Sequence, residues 1–189
     1  IDELVIIDVS RDLRNIKTFC KNIREVTEEC FVPITAGGGI RDIQHAHTIL
    51  RSGADKIILN TLLYEDPDEV KRIASKFGNQ SIVASIDLKK DGDSYKIMIN
   101  NGSQQIEDSA ESWIKKVSLM PVGEIFLNSI DQDGTAQGLD LKMLDLLGGE
   151  FPIPLILSGG AGHHNHLLEA LTDLRVDAVS TAHLFNFVG

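Results

Sequence analysis

Short apolar runs alternate with longer amphipathic stretches along this chain, and each run closes on, or is followed at once by, a polar residue or a glycine. The runs are Leu4–Asp8, Val32–Ala36, Lys56–Asn60, Ile82–Asp87, Glu124–Ser129, Ile153–Ser158 and Ala178–Thr181. Near-continuous apolar content, as in Ile82-Val-Ala-Ser-Ile86, predicts strands covered on both faces, which a parallel sheet requires. Ile43–Leu50 and Val70–Phe77 carry apolar positions at helical spacing and predict the covering helices. Connections of helical length between the runs force parallel pairing.

The pattern is internally duplicated. Thr35-Ala-Gly-Gly-Gly-Ile-Arg41 is echoed by Leu157-Ser-Gly-Gly-Ala-Gly162, and aligning Gly38 with Gly160 sets an offset of 122 residues. At nearly that offset Asp8 matches Asp131, and Ala54-Asp55-Lys56-Ile57-Ile58 matches Val176-Asp177-Ala178-Val179-Ser180. The period exceeds the ~20–50 residues of solenoid and propeller units. It fits half of a (β/α)8 TIM barrel, with chemistry placed where strands end. An open doubly wound sheet is the structural rival, but duplicated halves favour the barrel.

Seven runs are one strand short of a closed barrel, which takes eight strands and typically ~250 residues. The 189 residues, which begin at Ile1 without Met, therefore read as one incomplete barrel domain, residues 1–189, lacking the first strand and helix and belonging to a longer protein.

Composition narrows the function classes. Twenty-eight acidic against 18 basic residues give a net charge of −10, with no basic stripe, which disfavours a nucleic-acid partner. No apolar stretch approaches the ~18 residues of a membrane span, so membrane insertion is not expected. No secretory leader is visible, and the cytoplasm is the expected location. Cys20 and Cys30 fall on one predicted helix, about 15 Å apart at 1.5 Å per residue, too far to bridge, and read as reduced thiols.

Gly37-Gly38-Gly39 follows a strand and precedes a helix, where unhindered N–H groups and a helix N-terminus hold phosphate well. Ser158-Gly159-Gly160-Ala161-Gly162 repeats the arrangement. Glycines at such turns often serve close packing alone. Two equivalent loops together predict an elongated, doubly phosphorylated ligand. Asp8, Asp87 and Asp131 close apolar strands, and Asp133 follows Asp131 by two residues. A partly buried carboxylate at a strand end suits general acid–base work; the bland alternative is capping or bracing a turn. Catalysis is favoured for Asp87, while Asp131 and Asp8 stay open.

Glu3, Lys56 and Glu124 fall near the N-terminal ends of strands, on the barrel floor, where charges ordinarily form a stabilising ion-pair ring and a gate is the sharper alternative. His163, His164 and His166 cluster after the second glycine loop, but no Cys or spaced carboxylates complete a tetrahedral set. A solvated loop is expected there, and neither a metal nor a cofactor. His45 and His47 cannot share a helix face. His183, at the end of the last strand, is better placed to touch ligand. Asn101-Gly102, after Tyr95-Lys-Ile-Met-Ile99, reads as a hairpin tip able to act as a flap.

With these residues in hand, the chain from Ile1 to Phe187 resembles the cyclase subunit family of imidazole glycerol phosphate synthase, the ammonia-using half of a glutamine amidotransferase. The resemblance rests on Pro33-Ile-Thr-Ala-Gly-Gly-Gly-Ile-Arg41, Gly53-Ala-Asp-Lys-Ile57 with Asn60-Thr61, Ala84-Ser-Ile-Asp87, Ser129-Ile-Asp-Gln-Asp-Gly-Thr135 and Ser158-Gly-Gly-Ala-Gly162. It implies that Asp87 is one of two catalytic aspartates. Gly39, Asn60 and Thr61 match one phosphate site, while Gly134, Gly160 and the Ala182-His183 corner match the other. Glu3, Lys56 and Glu124 match three of the four residues of a charged ammonia gate. The implied reaction adds ammonia, delivered through the barrel from a glutaminase partner in a heterodimer, to a ribulosyl aminoimidazole carboxamide nucleotide. Imidazole glycerol phosphate and an aminoimidazole carboxamide ribotide are the products.

The chain also departs from that pattern. The family's other catalytic aspartate lies on a strand absent from these residues, which would be inactive as they stand. Asn128 stands where the histidine enzyme carries Thr, His183 replaces a small hydroxyl residue, and Leu174-Arg175-Val176 includes an extra residue. Asn100-Asn101-Gly102-Ser103 and Asn128-Ser-Ile-Asp131 resemble paralogues encoded with surface-polysaccharide (O-antigen) genes, which use channelled ammonia to amidate a nucleotide- or lipid-linked sugar. A non-catalytic barrel that docks and activates a glutaminase is a third reading.

Overall fold

A computed structural model describes residues 1–10, 14–149, 151–182 and 184. The chain divides into two compact units, residues 1–84 with 120–123, and residues 85–119 with 124–189.

In the first unit β1 (Leu4–Ile7), α1 (Ile16–Glu29), β2 (Ile34–Gly37), α2 (Ile43–Leu50) and β3 (Lys56–Leu59) alternate; α3 (Thr61–Glu65) and α4 (Pro67–Phe77) then lead into β4 (Ile82–Asp91). The strands pair in parallel in the order β1-β2-β3-β4. β2 is buried at all four positions, which explains its uninterrupted small and apolar sequence. Ile23, Ile49, Val70 and Ile73 present the apolar faces of α1, α2 and α4 to this core and are fully buried. The helix starts are chemically marked: the side chains of Asn15, Asp42 and Asp66 each accept N–H groups of the first turn, satisfying donors that a helix cannot satisfy itself.

The second unit continues β4 into β5 (Ser94–Ile99), β6 (Gln104–Gln105), α5 (Ala110–Ser118), β7 (Glu124–Ser129), a 3-10 helix (Leu141–Leu147), β8 (Leu155–Ser158), α6 (His164–Ala170) and β9 (Ala178–Ser180). β7, β8 and β9 are parallel, and the order is β4-β7-β8-β9. Trp113, Ile114 and Val117 bury one face of α5, while Leu127, Leu155 and Leu157 fill the strands. β4 runs on past Asp87 and turns back antiparallel on β5, with Leu88 opposite Ile97 and Asp91 opposite Ser94. Apolar periodicity gives no hint of this extension of β4, because Lys89, Lys90 and Asp91 are polar and exposed. β5 pairs with β6 around Asn100 and Asn101, both with positive φ, which makes the expected hairpin.

Each unit is a parallel-stranded β/α half-barrel, and the fold class is the α/β, TIM-barrel type expected from the sequence. All seven predicted strands are present. The duplication reaches single hydrogen bonds. Leu4 N donates to Pro33 O and Ile125 N to Pro154 O, at 3.0 and 2.9 Å. Ile34 N donates to Asp55 Oδ2, and Leu155 N to Asp177 Oδ2, both at 2.8 Å.

These bonds also correct the sequence alignment. Ile7 pairs with Gly37 and Asn128 with Ser158, so Gly38 corresponds to Gly159 and Asp8 to Ser129, not to Asp131. The later strand pair is displaced by one more residue, since Gly37 faces Ile58 and Ser158 faces Ser180. The second unit therefore carries one residue more between Ser158 and Ser180 than the first does between Gly37 and Ile58.

Candidate functional site

In the first unit the ends of β1 and β2 bring Asp8 against the first glycine loop. Asp8 N donates to Gly37 O at 2.8 Å, and its carboxylate Oδ1 turns back to accept Ser10 N at 2.9 Å, the turn-bracing role weighed for it. Gly38 has φ +114, and a Cβ there would land on the Asp8 backbone. Only glycine lets the two strand ends approach this closely. Asn60 and Thr61 open α3, with Thr61 Oγ1 3.4 Å from Asn60 Oδ1.

At the opposite end of the same strands Lys56 Nζ lies 2.8 Å from Glu3 Oε2, with side-chain exposures of 20% and 26%. Thr35 donates its hydroxyl to the other Glu3 oxygen. The in-register strands dictate this cluster, because Thr35 faces Val5 on one side and Lys56 on the other. In the second unit Glu124 opens β7 at the corresponding end.

The second unit holds the acid–base candidate. Asp87 Oδ1 accepts Asn128 Nδ2 at 3.2 Å and Ser85 Oγ at 3.3 Å. Burial pushes the Asp87 carboxyl above the ordinary carboxylate range; the hydrogen bonds from Asn128 and Ser85 oppose this, and the charge of Asp133 reinforces it. Ser85 escaped the sequence analysis, although the two-residue spacing on β4 puts it on the face of Asp87.

The other aspartates are more exposed. Asp131 Oδ2 accepts Lys90 N at 2.5 Å and Ile130 N donates to Leu88 O at 2.9 Å, so residues 130–131 brace the β4 arm. Asp133 N donates to Ser129 O at 3.1 Å, starting the turn that carries Gly134 at φ +75. Tyr95 Oη donates to Asp140 Oδ2 at 2.9 Å, latching β5 to the segment beyond that turn. Burial first, and then Asp140, hold the Tyr95 hydroxyl above its ordinary pKa.

Ser158, Gly159 and Gly160 close β8, all buried. A Cβ on Gly159 would meet the Ser129 backbone, and one on Gly160 would meet Gly138 O and Gln132. Thr181 Oγ1 donates to Ala161 O at 3.1 Å and Ala182 is exposed; His183 lies outside the described residues.

The histidine cluster differs from the expected loop. His163 caps α6, its side chain accepting Asn165 N, and His164 and His166 belong to the helix. Gly162 N donates to His166 Nδ1 at 3.3 Å. Among the described residues no group of three or more His, Cys, Asp or Glu could hold a metal, and no helix is long and apolar enough to cross a membrane. Cys20 and Cys30 are free thiols.

Comparison with known proteins matches residues 1–187 to the family described as histidine biosynthesis protein. A protein from Parasynechococcus marenigrum, provisionally named imidazole glycerol phosphate synthase subunit hisF2, is 45% identical over 100% of this chain and 70% of its own length. The imidazole glycerol phosphate synthase subunits HisF of Chlorobium phaeovibrioides and Chlorobaculum tepidum are 41% and 40% identical, each over 98% of this chain and 74% of their length.

Proposed function

This chain belongs to the histidine biosynthesis protein family, among the HisF subunits of imidazole glycerol phosphate synthase, and from that premise we propose that it is an ammonia-dependent cyclase subunit. Its substrate is a doubly phosphorylated ribulosyl aminoimidazole carboxamide nucleotide. Ammonia adds to it, and cleavage with ring closure yields imidazole glycerol phosphate and the aminoimidazole carboxamide ribotide. The observation that carries this reading is Asp87: a carboxyl on β4 held at Oδ1 by Asn128 and Ser85, with its pKa raised by burial. Imine formation and ring closure each require proton transfer to and from substrate nitrogen and oxygen, the work of a positioned carboxyl. Asp131 and Asp133 support it from the following turn, and Asp133 does so through its charge.

The glycine loops take the substrate phosphates. Gly37, Gly38 and Gly39, with Asn60 and Thr61, serve one; Gly134, Ser158, Gly159, Gly160, Ala182 and His183 serve the other. Asp8 and Asn128 line the substrate's path. Glu3, Lys56 and Glu124 form the gate that admits ammonia from a glutaminase subunit. A partner is chemically sensible, because free ammonia is mostly protonated at neutral pH and a conduit delivers the nucleophilic neutral form. The complex is expected in the cytoplasm.

The test is ammonia-dependent turnover of the ribulosyl nucleotide by the full-length natural protein, with Asp87→Asn as control. Turnover lost in the variant supports the cyclase and its acid–base residue. No turnover by the folded wild-type protein overturns the assignment and redirects the search to amidation of linked sugars, the reading that Asn128 favours.

A further inference from the structure

We propose that Arg14 is an anion-binding side chain of the first glycine loop, supplying the positive charge that holds a substrate phosphate at Gly39. The proposal rests on the phosphate-loop reading above and adds a residue to it. Gly39 has φ +69, and a Cβ built on it would fall on Arg14 Nη1 and Cδ. The arginine side chain therefore crosses the open face of the loop's last glycine.

Its backbone is fixed there by the start of α1. Arg14 immediately precedes Asn15, whose side chain accepts Lys17 N and Thr18 N at 3.1 and 3.2 Å. This cap sets the direction in which the chain enters the helix, and Arg14 beside it is half-buried.

Charge gives the placement a purpose. The protein carries a net −10, and strand pairing sets Asp8 directly beside Gly37 and Gly38. A phosphate dianion drawn to the loop's N–H groups is opposed by the charge of the neighbouring Asp8, whose backbone and Cβ lie against Gly38, so backbone dipoles alone are a weak trap. A guanidinium offsets that repulsion and offers two parallel N–H donors to phosphate oxygens.

The second loop is built differently. At Gly160, the equivalent of Gly39, a Cβ would meet Gly138 and Gln132, both uncharged. The side chain against this glycine is thus an arginine in the first loop and an uncharged glutamine in the second.

The experiment titrates the full-length protein with inorganic phosphate while following the backbone amide resonances of Gly38 and Gly39, for wild type, Arg14→Gln and Arg14→Lys. Loss of a charge-assisted pair weakens binding by about 10- to 100-fold in Arg14→Gln, and Arg14→Lys recovers part of it. In turnover, Arg14→Gln raises KM for the phosphorylated substrate with kcat little changed, a split that a merely structural role would not produce. Wild-type shifts that persist unweakened in Arg14→Gln overturn the role of Arg14 and leave the phosphate loop standing. Wild-type amides that do not respond to phosphate overturn the loop reading and this inference together.

Discussion

Asn128 Nδ2 donates to Asp87 Oδ1 across 3.2 Å, joining β7 to the middle of β4. An amide is a donor that cannot lose its proton at any pH an enzyme meets, so this bond favours the ionised carboxyl without titrating beside it. Burial outweighs it. The net effect holds the carboxyl above the ordinary carboxylate range.

Asp87→Asn is expected to separate activity from stability. Turnover falls by about 10²- to 10⁴-fold, the usual worth of a general acid–base group. A carboxyl whose folded pKa is raised favours the folded state only while protonated. Its contribution is complete below the ordinary value of 3.8 and is lost as pH rises through the elevated folded value. At neutral pH the variant is therefore more stable than wild type, and the gain disappears in acid. Thermal melts at pH 7 and pH 3.5 check this; equal melting temperatures at both would refute it.

Gly38→Ala is expected to destabilise the first unit. The residue sits at φ +114, and the added methyl would occupy the Asp8 backbone. Strain of this kind costs roughly 2 kcal/mol or more, read as a lowered urea midpoint at unchanged slope. Wild-type stability would mean that the strand ends do not approach so closely.

Arg175 ties the segment before β9 to its surroundings. Nη1 donates to Leu144 O at 2.7 Å and Gly148 O at 3.1 Å, while Nη2 pairs with Asp173 at 2.6 Å. Arg175→Ala should cost about 2 kcal/mol in urea unfolding. Hydrogen bonds from Arg175 hold the Asp173 carboxyl down to about 2, so its stabilisation is present above the ordinary 3.8 and is lost as pH falls toward 2. The variant is predicted to lose that acid dependence, which unfolding curves between pH 2 and 5 would register.

Lys56→Ala removes the charged partner of Glu3 and leaves the Thr35 hydroxyl on its other oxygen. A partly exposed pair of this sort is worth about 1 kcal/mol, so the protein stays folded. If the cluster gates ammonia, turnover driven by glutamine through the partner falls while turnover driven by added ammonium salts holds. Rates that fall together, or not at all, would leave the cluster a structural ion pair.

The apolar runs by themselves determined the seven parallel strands, since a segment covered on both faces must be apolar nearly throughout, as β2 and the start of β4 are. Repeated glycine turns disclosed the duplication, and the aspartate closing the apolar run Ile82–Asp87 singled out Asp87. The register of that duplication was decided only by tertiary hydrogen bonding: Ile7 opposite Gly37 and Asn128 opposite Ser158 make Gly159, not Gly160, the counterpart of Gly38. Local similarity cannot resolve a one-residue shift inside a run of glycines. The β4–β5 arm, Ser85 beneath Asp87, Tyr95 on Asp140 and Arg14 over Gly39 were likewise decided in three dimensions. The exposed polar end of β4 carries no hydrophobic period, and a side chain's reach across distant segments depends on where separately anchored backbones converge.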